Sequence, residues 1–244
     1  MEYKLGLVSV SFRNHTPREI LSAMKECGLK YIEWGSDVHV PLHKASEIAA
    51  LQKEYGIECS SYGTYFRFGV TPISELEEYI SVAKTLGTDI LRLWCGDKNS
   101  EDYSEDEKSA LFSLCSDAAK IAENHGVTLC MECHNYTYTN TKESAAELME
   151  AVASENFKMY WQPNQYRDKS ENIAYARLLA EKTVHLHVFN WERDVKFPLM
   201  GAKDIWKEYL SCFTGERTLL LEFMPDDRLD SLKTEAEALK EIVK

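Results

Sequence analysis

The segment His125-Gly126-Val127-Thr128-Leu129-Cys130-Met131-Glu132 decides how this chain folds. A helical pattern stops at a glycine, and a short apolar strand follows at once and ends on a carboxylate. Glycine at a helix C-cap takes the left-handed conformation that ends the helix and turns the chain into the next element. The same phrase occurs at Cys27–Gly28 before KYIEW, at Tyr55–Gly56 before IECSSY and at Leu86–Gly87 before TDILRLW. Each occurrence is one helix-to-strand step. Helix starts are marked as well: Thr16 stands three residues before Glu19, Ser104 before Glu107, Asn140 before Glu143 and Asp168 before Glu171, the spacing of a capping box. Between these signals lie eight strands, near 5–11, 30–34, 57–62, 89–94, 127–132, 157–162, 183–188 and 218–223, each followed by a helical pattern. Strands that alternate with helices pair in parallel, and eight of them in 244 residues predict an α/β protein, a closed (β/α)8 TIM barrel forming a single domain over 1–244.

Bulk properties narrow the partners. The formal net charge is -12 and no run of Lys and Arg gathers the positive charge, so a phosphate backbone would be repelled and nucleic acid is not expected. No stretch approaches the ~18 apolar residues of a membrane span, and the opening MEYKLGLVSVSF reads as a strand and not as a signal peptide. The 7 cysteines, an odd number mostly inside apolar patterns, suit reduced thiols in a cytoplasmic protein. Cys130 and Cys133 have the spacing of a zinc pair but straddle a strand end, and no second pair exists. The helix faces do not separate a monomer from a homodimer.

In a barrel of this kind the strand C-termini converge on one mouth, where sites are built. The endings here are Ser9/Ser11, Glu33–Trp34, Ser61–Tyr62, Arg92/Trp94, Glu132, Gln162, His185/His187 and Glu222. Glu132, Gln162, His187 and Glu222 come from four successive strands, and two carboxylates, an imidazole and an amide oxygen make a sensible cage for a divalent cation such as Mn²⁺, Mg²⁺, Co²⁺ or Zn²⁺. Aromatic residues near the strand ends, among them Trp34, Tyr62, Trp94 and Trp191, suit the apolar face of a sugar as well as a packing layer. Trp161 alternates with Gln162 and is expected to face the helices; His185 lies deeper than His187 and reads as a hydrogen-bonded core histidine; Glu33 and Arg92 read as an internal ion pair.

These residues resemble the xylose isomerase-like TIM-barrel superfamily, which contains sugar and sugar-phosphate isomerases and epimerases, inosose dehydratases and apurinic-site endonucleases. The resemblance covers essentially the whole chain in order of elements. In that group a metal sits on Glu, Asp, His and Glu from the last four strands. Glu132 and His134 in ECHNYTYTNT match the first motif, His187 in VHLHVFNWER the third and Glu222 in LLLEF the fourth, while Arg193 matches an arginine that holds substrate in ketose 3-epimerases. The second position departs from the pattern, with Gln162-Pro163-Asn164-Gln165 where Asp-x-x-His is common. The resemblance implies a divalent-metal-dependent isomerase or epimerase, or a dehydratase, acting on a small sugar, ketose or polyol. Glu132 and Glu222 would be the acid–base pair, and Arg193, His134, Gln165, Trp94 and Tyr62 would contact substrate. The departure at Gln162 leaves open a non-catalytic carbohydrate-binding relative; an endonuclease would need additional zinc ligands that Tyr62 and Trp94 do not supply.

Overall fold

The computed structural model describes residues 3–244. Eight parallel strands close into a barrel: β1 (Tyr3–Val8), β2 (Tyr31–Gly35), β3 (Glu58–Phe68), β4 (Ile90–Cys95), β5 (Thr128–Glu132), β6 (Phe157–Trp161), β7 (Thr183–Val188) and β10 (Arg217–Leu221). Each pairs with its neighbour in chain order, and β1 joins both β2 and β10 to complete the ring. Eight α-helices alternate with them: α1 (Pro17–Cys27), α2 (Ala45–Tyr55), α3 (Leu76–Leu86), α4 (Glu105–His125), α5 (Lys142–Val152), α6 (Lys169–Leu179), α7 (Lys203–Leu210) and α8 (Leu232–Ile242). No helix among the described residues is long and apolar enough to cross a membrane.

The four glycine stops behave as the sequence predicts, with Gly28, Gly56, Gly87 and Gly126 all at positive φ at helix C-caps. The capping boxes at Thr16, Ser104 and Asp168 are also present. The one expected at Asn140 is displaced by a residue, because Thr141 caps α5 and pairs with Ser144. Asn140 is otherwise engaged: its side chain accepts from the Ser100 amide at 2.9 Å and donates to Glu101.

Two departures from the expected strands matter for the mouth. β3 runs to Phe68, six residues beyond the expected end at 62, with an irregular register against β4 between Gly63 and Arg67. A short antiparallel hairpin, β8 (Trp191–Glu192) with β9 (Val195–Lys196), follows β7, and its turn carries Arg193 at φ 51.

Side-chain alternation divides the barrel wall. A large apolar core lies between strands and helices, and a small one, Val8, Val10, Cys130, Tyr160 and Leu220, fills the inside of the barrel. Trp161 packs outward against Trp206, Tyr209 and Phe213, as expected. Trp34 also points outward, and its indole N–H donates to Gln52 on α2 at 3.0 Å. Tyr62 does the same: it is fully buried and its hydroxyl donates to the Val40 carbonyl at 2.7 Å. The expectation that Tyr62 contacts substrate is therefore corrected. Its neighbour Ser61 takes the inward position on the two-residue period of the strand. Cys130 and Cys133 diverge likewise, one inside the barrel and the other against the Gln162 backbone, so they form no zinc pair.

Candidate active site

The floor of the mouth is a buried charge cluster. Arg92 on β4 donates through Nε to Glu33 Oε1 at 2.8 Å and through Nη1 to Glu132 Oε2 at 2.6 Å. Glu132 Oε2 also accepts from the Trp94 indole N–H. Glu33 Oε2 accepts from Ser61 Oγ at 3.0 Å, and Tyr160 Oη donates to Ser61 at 2.6 Å. The expected Glu33–Arg92 pair is thus present, and Arg92 extends it to Glu132. Gly63 makes the room: a Cβ there would stand 2.5 Å from Glu33 Oε1 and 2.8 Å from Arg92 Nη2.

His187 on β7 is the hub of the other side. Its Nε2 lies 3.3 Å from Glu33 Oε2. Its Nδ1 faces Gln162 Oε1 at 3.0 Å, Glu222 Oε2 at 3.3 Å and Glu132 Oε1 at 3.5 Å. The four residues that sequence reasoning placed on one cation therefore do meet, around a single ring nitrogen. His185 sits one layer deeper between the carbonyls of Val184 and Ser60, and burial pushes its pKa down to about 4, which keeps it neutral.

Electrostatics follow from burial and pairing. Burial would raise the Glu33 carboxyl, but the Arg92 and His187 charges override it and hold it at about 2. Glu132 responds in the same way, burial opposed chiefly by Arg92, and stays well below the usual carboxylate range. Burial would push the His187 imidazole down, yet Glu222 and Glu33 hold its pKa well above the ordinary value. Arg92, desolvated but flanked by Glu132 and Glu33, remains a cation.

The donor chemistry suits a divalent ion. Ligands about 2.1 Å from one ion lie roughly 3.0–3.4 Å from one another, close to the separations around His187 Nδ1. With that imidazole neutral, the carboxylates of Glu33, Glu132 and Glu222 against the Arg92 guanidinium leave two negative charges, which one divalent ion balances. The oxygens nevertheless gather on the imidazole itself. Among the described residues no group of three or more His, Cys, Asp or Glu side chains encloses a ready-made cation site.

The remaining expected contacts divide between two places. Trp94 and His134 stand at the mouth, their rings stacked at 5.4 Å and 27°. Gln165 and Arg193 do not reach the floor; they line a cavity of about 730 Å³ between the loop after β6 and the β8–β9 hairpin. None of Glu132, Gln162, His187 or Glu222 lines that cavity. The reason is local: the Arg193 amide donates to the Gln165 carbonyl at 2.9 Å, tying the hairpin turn to the loop after β6. Sequence reasoning missed Arg67, which lies beyond the expected end of β3. Its signal was present in the alternation of YFRF, a cation between two buried phenylalanines.

The profile described as xylose isomerase-like TIM barrel matches residues 21–209. A curated 3-dehydroshikimate dehydratase of Bacillus anthracis is 23% identical over 168 residues, 64% of this chain and 60% of that protein's length. Among solved structures, the probable 3-DHS dehydratase AsbF of Bacillus anthracis superposes with TM-score 0.77 at 19% identity, over 98% of this chain and 99% of that one. D-psicose 3-epimerase of Clostridium cellulolyticum H10 superposes with TM-score 0.73 at 13% identity, over 98% of each chain. At these identities the structural likenesses establish the fold, and the profile, which takes in most of the chain, establishes the kinship. The chain belongs to the xylose isomerase-like TIM-barrel family.

Proposed function

We propose that the protein is an enzyme that moves a proton on a carbon next to a carbonyl in a small polyhydroxylated substrate, an isomerase or epimerase of the sugar, ketose or polyol class. The observation that carries this reading is the approach of Glu132 and Glu222 to the same ring nitrogen of His187, at 3.5 and 3.3 Å. Two carboxylates around one point can remove a proton and return one. Glu132 is the better-held base: Arg92 and Trp94 fix one of its oxygens and leave Oε1 on the side of His187. Glu222 serves as the second acid–base group.

Glu132, Gln162, His187 and Glu222 would hold a divalent ion, which when bound polarises the carbonyl and makes the neighbouring C–H more acidic. The residues around it do the rest. Ser61 and Tyr160 orient Glu33, Glu33 and Arg92 hold His187 and Glu132 in place, and the stacked pair Trp94 and His134 walls the mouth beside the substrate. Return of the proton to the adjacent carbon gives isomerisation, and return to the opposite face gives epimerisation.

Loss of a β-hydroxyl after the same first step is dehydration. That second reading is favoured by the 3-dehydroshikimate dehydratase relative.

The test is solvent deuterium exchange followed by NMR, with wild-type protein supplied in turn with Mn²⁺, Mg²⁺, Co²⁺ and Zn²⁺ and offered ketoses, inososes and hydroxylated keto acids. Exchange that disappears in Glu132→Gln supports the reading. Absence of exchange from every substrate with every metal sinks it and leaves a binding protein.

A further inference from the structure

Three arginines approach the inner mouth, and two of them are neutralised. Arg13 pairs with Asp37, and Arg92 pairs with Glu33 and Glu132. Arg67 is different. Its Nη1 donates to the carbonyls of Gly96 at 3.0 Å and Tyr136 at 3.4 Å, and among the described residues its guanidinium is within ion-pair distance of no carboxylate.

The position is nevertheless built with care. Arg67 lies on the overhang of β3 opposite Trp94 in the register with β4. Its guanidinium carbon sits 3.9 Å from the centroid of the Trp94 ring, close stacking for a cation on an indole. Trp94 is held in turn by its N–H on Glu132, by Tyr65 edge-on at 5.1 Å and by His134 stacked at 5.4 Å. Arg67 is thus fixed one indole ring away from the proposed base. Desolvation lowers its pKa, opposed by the more distant Asp97 and Glu132, so the site holds a cation at some cost without a direct counter-ion.

We infer that Arg67 is the specificity residue of this site and that the substrate is a carboxylate, a hydroxylated keto acid and not a neutral sugar. This inference rests on the proposed function for the location of the reacting carbon, but its observable is binding. A carboxylate completes what the position lacks. Nη1 is already committed to backbone carbonyls, whereas among the described residues no hydrogen bond occupies Nε or Nη2, and that edge of the guanidinium matches the two oxygens of a carboxylate. A phosphate dianion fits less well, because Arg13 and Arg92 beside Arg67 are already paired and the floor carries three carboxylates.

The experiment is calorimetric binding to the full chain of two six-carbon 2-ketoses that differ only at C1, 2-keto-D-gluconate and D-fructose, at fixed ionic strength. Proteins are wild type, Arg67→Met, Arg67→Lys and Trp94→Phe, with near-UV circular dichroism confirming that each variant keeps its aromatic packing. Wild type is expected to prefer the acid by roughly tenfold to a hundredfold, the scale of one charge-assisted bidentate contact. Arg67→Met should remove the preference, Arg67→Lys should restore part of it, and Trp94→Phe should weaken binding of the acid while keeping its sign. Equal affinities in wild type, or a preference that survives Arg67→Met, would overturn the inference. Acid preference without any solvent exchange keeps this inference and refutes the proposed chemistry. Exchange on fructose with no preference does the reverse.

Discussion

The two halves of the barrel contribute different things to the same mouth. β2, β3 and β4 supply Glu33, Ser61, Arg67, Arg92 and Trp94, groups whose hydrogen bonds hold other groups still. β5, β6, β7 and β10 supply, at or just past their ends, Glu132, Gln162, His187 and Glu222, which crowd around one imidazole nitrogen. The first half resembles a scaffold of fixed charge and the second a set of donors able to exchange a proton. The lesson is that the proposed reactive carboxylate is made in two steps, one strand delivering it and the adjacent strand setting its charge. Glu132 comes from β5, but Arg92 on β4 is what keeps it ionised in a buried place.

The comparison breaks most sharply if the reactive half is disabled while the scaffold stays intact. Glu222→Gln is expected to lower solvent exchange by about 10²–10⁴-fold, read by NMR, with little change in the urea midpoint, and Glu132→Gln to lower it as far while also costing stability, because it takes one buried partner from Arg92. An unchanged rate would move the reactive role elsewhere. Removal of the scaffold's cation should do the opposite. Arg92→Met leaves two buried carboxylates without their partner and is expected to cost about 3–5 kcal/mol of unfolding free energy, measured by urea denaturation. A near-neutral result would mean that the cluster reorganises around His187.

Acid sharpens the same point. Glu33 sits at about 2 when folded, below its ordinary 4.5. The stability contributed by a depressed carboxylate is complete above its unfolded pKa and is lost as pH falls through the folded value. Wild type should therefore lose stability between about pH 4.5 and pH 2 more steeply than Glu33→Gln, compared by urea midpoints across that window; parallel curves would contradict the assignment. Gly63→Ala tests the space that the pair needs. A Cβ at 2.5 Å from Glu33 must displace it, at an expected cost of about 1–3 kcal/mol. Smallest in energy is Gln162→Asp, which adds one charge to the donor half. It should tighten Mn²⁺ binding by roughly tenfold, followed by metal titration, and equal affinity would show that Gln162 is not among the ligands.

Much of this was legible in the chain itself. The glycine stops placed four of the strands. Strand endings picked out Glu132, His187 and Glu222, because a carboxylate or imidazole closing an apolar strand is costly to bury unless an ion, a partner charge or a substrate answers it. Parity also told Trp161 from Gln162 correctly. It could have told Tyr62 from Ser61 and Trp34 from Glu33 in the same way, since Glu33 and Ser61 face in and their neighbours face out. The link from Arg92 to Glu132 was out of reach, because each residue's partner lies 40 positions away and depends on adjacent strands closing in register. The β8–β9 hairpin was likewise hidden. Two residues per strand give no periodicity, and the turn at Arg193 uses a left-handed conformation that no glycine announces.

The two hydrogen bonds on Glu132 Oε2 have a stereochemical consequence. A carboxylate with both oxygens free can approach a carbon acid from either side by turning about its last bond. Here Arg92 and Trp94 pin that bond from two directions, so only Oε1 can receive a proton and it presents a single edge to the substrate. On the proposed chemistry the prochiral face from which hydrogen leaves is therefore chosen by an arginine and an indole that never touch the reacting carbon. A chiral deuterium label would report their influence as selectivity even where the rate did not.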